Sequence, residues 1–343
     1  MAASSSSDGV GAASANAASS IRDLSVRFAD KVQIHLHPAS SLPPSIAGDS
    51  DAGSLGVALI WTVDSLRLLR SYGLTGSFTG TLAQFPQQNI FLGLPVQLLP
   101  EEVVYLLRRG LAVVVDESAS YRPSTALERG EVDARTEEDR RGQQLAAWYE
   151  RQTLRAKHSR TPLATDPVEG ELDGLPWHYT IPTTSSDLGW YHPVTYTTLS
   201  SLHPLWPFPA TERQVASVAL FEHLVGDRGL WCMNGLRFGG AFAVYPGDPL
   251  RYHSHYTAQL VLPSESVPMT TLVANGRLGT AVKKTHLLCC TTFEADFDPN
   301  DPVDALRSGK FDTAPKSDKE QQSNDGRLAK FDVFSLAWAG FGT

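Results

Sequence analysis

Along Lys31–His37, KVQIHLH, apolar and polar residues alternate as they do in a half-buried strand. Gly56–Val63, GVALIWTV, is instead a continuous apolar run, which fits a buried strand. The spacing turns helical over Asp64–Gly73, DSLRLLRSYG, with Asp64 or Ser65 as N-cap and Gly73 just past the end. Leu99–Gly110, LPEEVVYLLRRG, carries the fullest set of helix signals. Pro100 takes the first position, Glu101 and Glu102 face the positive end of the helix dipole, Arg108 and Arg109 occupy the last turn, and Gly110 stops it. Leu111–Asp116, LAVVVD, follows as a strand. Residues 21–118 therefore read as a small N-terminal mixed α/β domain.

The pattern changes over 119–205. Residues 126–160 are highly charged and rich in helix formers, which predicts a solvated helix on a linker. A partner-docking helix anchored by Leu145 and Trp148 is the sharper alternative. The proline-rich stretches 161–176 and 203–211 break structure. A second domain is expected over 206–343. It opens with a helix capped by Thr211 and ending near Gly226, whose apolar stripe comprises Val215, Val218, Leu220, Phe221, Leu224 and Val225. LRFGGAFAVY, residues 236–245, reads as a strand entered through a glycine pair. YHSHYTAQLVLP, residues 252–263, reads as another, with Pro246–Pro249 as the connection. A helix closed by Gly279, an interior strand over AVKKTHLLCCTTF (281–293) and a closing strand from Lys330 complete it. The polar segment 298–327 reads as a mobile insertion. The fold class is thus α/β (α+β), the C-terminal domain being a mixed sheet packed against helices.

Composition narrows the setting. The 343 residues allow one large domain or two medium ones, and 42% apolar residues suffice for real cores. No apolar run reaches the ~18 residues of a membrane span, so no membrane insertion is expected. Residues 1–20 are Ser/Ala/Gly-rich, lack the basic flank and apolar core of a signal peptide, and read as a disordered tail. Three cysteines, two of them adjacent, suit a reducing compartment, cytosolic or nuclear. The net charge of −8 argues against an autonomous, charge-driven nucleic-acid binder. Residues 201–290 hold seven Lys/Arg against five Asp/Glu, together with five histidines, so an anionic substrate would prefer this region.

Within it, YPGDPLRYHSHY (245–256) poses a choice. On a strand, His253, His255 and Thr257 would share one face, and the turn would fold Tyr245 back beside His253. Gly247, five residues, His253, one residue, His255 matches the start of the cupin metal motif. Gln259 stands where cupins have glutamate, and His286 is the one nearby candidate for a further ligand, so the donor set is poor for a divalent ion. The metal-free reading combines Tyr245, one of the histidines and a lysine of VKKTH. RNA carries its own nucleophile, the 2′-hydroxyl beside the scissile phosphate. Cleavage then needs a base for that hydroxyl, an acid for the departing 5′-oxygen, and positive charge for the phosphorane between them. Histidine, titrating near pH ~6.5, can supply a proton at neutral pH. Tyrosine, with a pKa of about 10, needs a cation nearby to act as base, and a lysine would supply that and stabilise the oxyanion. The plainer reading is a turn, a surface histidine pair and two solvated lysines. His35 and His37, two apart on one strand, read the same way as a structural or surface pair.

Taken together, FGGAFAVYPGDPLRYHSHYTAQ and GRLGTAVKKTHLL resemble the catalytic half of the tRNA-splicing endonuclease, and in particular the eukaryotic subunit that cuts the 3′ splice site. PQQNIFLGLPVQLLPEEVVYLLRRGLAVVV, residues 86–115, is similar to the N-terminal domain of the same subunit. The resemblance implies cleavage of precursor tRNA at an intron boundary, leaving 2′,3′-cyclic phosphate and 5′-hydroxyl ends, with no cofactor. It implies Tyr245 as general base, His253 rather than His255 as general acid, and Lys284 rather than Lys283 as electrostatic stabiliser. It implies three partner subunits, a second catalytic one and two structural ones, with intron-containing precursor tRNA as substrate. Partners would supply the basic surface this acidic chain lacks, and the strand from Phe331 is a candidate docking edge. Nuclear localisation is expected, with the cytoplasm at the outer mitochondrial surface as the alternative. The chain departs from the family at Ala241, where an aspartate is usual. A non-catalytic scaffold subunit and, less favoured, a cupin-like metalloenzyme are the competing readings.

Overall fold

The computed structural model describes residues 28–38, 55–81, 92–159, 166–168, 170–179, 185, 187–294, 298, 301, 309–312 and 326–337. The expected tail, residues 1–20, and most of the expected insertion at 298–327 lie outside them. Residues 121–192 form one compact unit, and the described residues on either side form the other.

The larger unit holds two sheets. The first is built from β1 (Val32–His37), β2 (Val57–Ile60), β3 (Ser77–Thr81), β4 (Leu92–Gln97), β5 (Ala112–Asp116) and β6 (Val194–Tyr196), in the order β3-β4-β2-β1-β5-β6. Only β1 and β5 pair in parallel, with Ile34 opposite Val114. Helix α1 (Val63–Ser71) is capped by Thr62, whose Oγ1 accepts from the Ser65 amide at 3.3 Å, so the cap falls before Asp64 and Ser65, the expected positions. Helix α2 (Pro100–Arg108) starts at Pro100 as expected. The Glu102 carboxylate accepts from the Leu99 amide at 2.8 Å and the Gly76 amide at 3.0 Å, which satisfies two donors inside the protein. Strand β6 lies in the segment read as linker, yet it extends this sheet on β5.

The second sheet contains β7 (Trp231–Asn234), β8 (Phe242–Tyr245), β9 (Tyr256–Val261), β10 (Thr285–Phe293) and β11 (Ala329–Leu336), in the order β11-β10-β9-β8-β7. β9 and β10 are parallel, joined through a crossover helix, and the other neighbours are antiparallel. β11 is an edge strand on which Val333 and Phe334 are exposed.

One hydrophobic core runs through both sheets. Its seam is the contact of α2 with the helix Glu212–Glu222. Tyr105 meets Phe221 edge-on at 5.8 Å between centroids, and Phe221 meets Phe242 at 5.5 Å. Buried Arg108 donates to Glu222 at 2.7 Å and to the Gly326 carbonyl at 2.6 Å. The Ser217 hydroxyl donates to Glu101 at 2.7 Å. The N-terminal and C-terminal sheets are therefore joined by packing.

In the other unit, the charged segment is helical over Ala126–Ser159. Trp148 is buried, and its indole donates to Glu171 at 3.0 Å, so this ring is used within the unit and is not presented to a partner. Among the described residues no helix is long and apolar enough to cross a membrane.

Candidate active site

Strand register brings the three sequence-selected residues to one end of the central strands of the second sheet. Val244 is opposite Tyr256 across β8 and β9, and Tyr256 is opposite Thr285 across β9 and β10. Tyr245 is one residue beyond Val244, His253 lies three before Tyr256, and Lys284 lies one before Thr285. The antiparallel β8–β9 pair and the parallel β9–β10 pair put all three positions at the same end. The expected alternation over Tyr252–His255 is not what the chain does, because β9 begins only at Tyr256. The Asp248 carbonyl accepts from the amides of Arg251 at 2.8 Å and Tyr252 at 3.0 Å, and the Ser254 carbonyl is taken by a lysine. Those groups are withdrawn from the sheet, so His253 sits in a loop and is exposed, while Tyr245 at the end of β8 is half-buried.

Lys284 is positioned by the crossover helix Met269–Ala281. The helix does not stop at Gly279 as expected. A Cβ there would stand 2.7 Å from the Lys284 carbonyl oxygen, so glycine is what lets the chain return this close to the helix. Lys283 takes up the reversal with φ 55°, and the Lys284 amide donates to the Gly279 carbonyl at 2.8 Å. The Lys284 ammonium donates to the Ser254 carbonyl at 2.8 Å and to the Ser254 hydroxyl, and stands 4.9 Å from the Phe238 ring centroid. Desolvation pushes its pKa below the ordinary lysine value. A partly desolvated ammonium is thus fastened to the residue next to His253.

The loop that carries His253 is held from helix α1. Arg70, in the last turn of α1, pairs with Asp248, and its guanidinium lies 5.4 Å from the centroid of the Trp231 ring. Asp248 also accepts from the Leu250 amide at 2.8 Å. The Arg70 bond and the Leu250 amide hold its carboxyl below the usual range. Gly247 lies under the Tyr252 ring, whose Cε2 and Cδ2 would be 2.9 and 3.0 Å from a Cβ at that position.

The remaining histidines have other partners. His286 is buried, bonded to Thr257 at 2.9 Å and Gln259 at 2.9 Å, and Asn275 donates to Gln259 at 2.8 Å. Burial lowers its pKa, which favours the neutral ring this network needs. His255 is exposed and contributes its backbone, its amide to Val244 at 3.1 Å and its carbonyl to Thr285 at 2.9 Å. Among the described residues no three His, Cys, Asp or Glu side chains are grouped to hold a metal ion, so the cupin-like set of His253, His255, Gln259 and His286 is not assembled. His35 is tied to Glu117. Ala241, just before β8, is exposed, with its amide and carbonyl bonded to Ala258 at 2.7 Å and Gly235 at 3.0 Å. The missing carboxylate therefore leaves no buried gap.

Sequence reasoning did not find Ser254, Phe238, Arg70 or Asp248. Asp248 sits in the quoted motif, but its partner is 178 residues away, and nothing in local spacing announces it.

The site's setting has a match among known families. Residues 218–298 match the tRNA intron endonuclease, catalytic C-terminal domain, and residues 53–117 match the TSEN34-like, N-terminal domain. The chain is 32% identical over 302 residues to "Probable tRNA-splicing endonuclease subunit sen34" of Schizosaccharomyces pombe, covering 84% of this chain and 96% of that protein. It is 30% identical over 286 residues to the human tRNA-splicing endonuclease subunit Sen34, covering 68% and 91% respectively. Against the Saccharomyces cerevisiae subunit SEN34 the identity is 26% over 249 residues. The chain belongs to the Sen34-type family of tRNA-splicing endonuclease subunits.

Proposed function

We propose that this chain cleaves precursor tRNA at the 3′ splice site of the intron by acid–base transesterification. Tyr245 removes the proton of the 2′-hydroxyl. O2′ attacks phosphorus, the bond from phosphorus to O5′ breaks, and His253 gives its proton to O5′. The products are a 2′,3′-cyclic phosphate and a 5′-hydroxyl. The Lys284 ammonium offsets the extra negative charge of the phosphorane, a role strengthened by its partial desolvation. The observation that carries this reading is the convergence of Tyr245, the His253 loop and Lys284 at one end of strands β8, β9 and β10, with Lys284 bonded to Ser254.

The substrate is an intron-containing precursor tRNA, and three further subunits complete the enzyme. The exposed Val333 and Phe334 on edge strand β11 support docking of a partner there. The free cysteines Cys232, Cys289 and Cys290 fit a reducing compartment, for which the nucleus is proposed.

The experiment is reconstitution with candidate partner subunits and an intron-containing tRNA in EDTA, with product ends analysed. His253→Ala is expected to abolish cutting at the 3′ site while the complex still assembles. Undiminished 3′ cutting by that variant would leave the chain a scaffold role and overturn the assignment.

A further inference from the structure

The residue directly before His253 is a tyrosine that is not part of the core. Tyr252 is 51% exposed, so its ring is open to solvent beside His253. It is nevertheless well fixed. Its amide is bonded to the Asp248 carbonyl at 3.0 Å. Its ring carbons Cδ2 and Cε2 lie so close over Gly247 that a Cβ at that position would stand 2.9–3.0 Å from them. The loop beneath is braced by the Asp248–Leu250 bond and by Arg70. The exposed cation Arg251 precedes it in the chain.

We propose that Tyr252 is a stacking platform for a nucleobase flanking the scissile phosphate. This rests on the cleavage chemistry assigned above. RNA recognition outside helices works by splaying unpaired bases onto aromatic side chains. A phosphate within reach of His253 has its neighbouring nucleotides within reach of residue 252. The braced loop holds the ring in place before the base arrives, which keeps the ordering cost of stacking low. Arg251 adds a positive charge for the adjoining backbone. The platform selects a base by its unpaired state and leaves its identity unread, since every base presents a π-face.

The test uses the reconstituted complex and single-turnover cleavage at the 3′ site, with the cut at the other splice site as the measure of intact assembly. Tyr252→Ala is expected to lower kcat/KM at the 3′ site about ten- to a hundredfold, the range of one base–aromatic stack. Tyr252→Leu keeps an apolar group over Gly247 but not the ring, and is expected to fall with Ala, whereas Tyr252→Phe falls far less. Precursor tRNA made abasic at one of the two nucleotides flanking the 3′ cut should lose the same factor with the unsubstituted enzyme and nothing further with Tyr252→Ala. Equal kcat/KM for Ala and Tyr overturns the proposal, and so do losses that multiply at both abasic positions. If Tyr252→Ala instead reduces recovery of the complex and spares cutting per assembled complex, the ring belongs to a protein contact. If His253→Ala also cuts at the normal rate, it is the cleavage assignment that has failed.

Discussion

Replacing Arg108 by methionine should destabilise the chain by about 3 kcal/mol at pH 7.5, the lower end of the cost of breaking a buried pair. The Arg108 side chain is fully buried and that of Glu222 is 7% exposed, so neither charge can turn to water when the other is removed. Methionine fills similar space and leaves buried Glu222 without its hydrogen-bonded partner, with the Gly326 carbonyl stripped of a donor. Arg109 also favours the Glu222 charge, which is why the lower end of the range applies. Burial already pushes the Glu222 carboxyl above its ordinary value, and loss of Arg108 pushes it further. A carboxyl whose folded pKa is raised contributes stability that is present below its unfolded pKa and lost as pH rises through the folded one. The penalty of Arg108→Met should therefore shrink as the pH is lowered toward 5. Urea unfolding followed by tryptophan fluorescence measures this, with buried Trp206 as a reporter in the shared core. Adding Glu222→Leu to Arg108→Met should recover much of the loss, because a paired deletion leaves no stranded charge. A cost under about 1 kcal/mol, a cost unchanged by acid, or a double variant as unstable as the sum of the singles would refute the reasoning.

Two further outcomes follow from buried or bridging carboxylates. Burial raises the Glu102 carboxyl to about 7 from 4.5, against the pull of the Leu99 and Gly76 amides. Its contribution is complete below pH 4.5 and disappears as pH rises through 7, so stability should fall by roughly 3 kcal/mol between pH 5 and pH 8 on this account. Glu102→Gln should flatten that slope, and an unchanged slope would show that other groups set it. Arg70→Ala should change unfolding free energy by less than about 1 kcal/mol, as a partly exposed pair does. On the proposed function, it should lower kcat for 3′ cutting about tenfold with little change in KM, since Arg70 is engaged by Asp248 and its loss loosens the His253 loop. A KM effect with kcat intact would mean that Arg70 meets the RNA itself.

Much of the fold was legible because alternation and caps are local. The strands at Val32 and Ala112 and the helices at Pro100 and Glu212 all start close to where their side-chain pattern begins. Strands β3, β4 and β7 gave no such signal. β4 contains Gly93 and Pro95, β3 contains Gly80, and β7 is the four residues WCMN without alternation. Each is fixed by the neighbour it pairs with. Tyr245 could be placed at a strand end from the chain alone. The choice of Lys284 over Lys283 could not, and needed resemblance to a known family; the turn at Lys283 and the close approach at Gly279 set the two lysines in different surroundings that local spacing does not announce. The two histidines were misread as strand because the carbonyl that breaks the alternation is bound by a lysine thirty residues later.

The seam between α2 and the Glu212–Glu222 helix bears on how this family evolves and how it can be handled. The matched catalytic segment begins at residue 218, in the middle of that helix. A fragment cut there, or anywhere after Ser120, would bare Phe221 where Tyr105 now covers it, strand the Glu222 charge and release Asp248 from Arg70. The nuclease half is therefore not a portable cassette. The N-terminal half is bound into its folding and into the shape of the loop that carries His253, so the two halves are expected to be inherited, exchanged or lost as a pair.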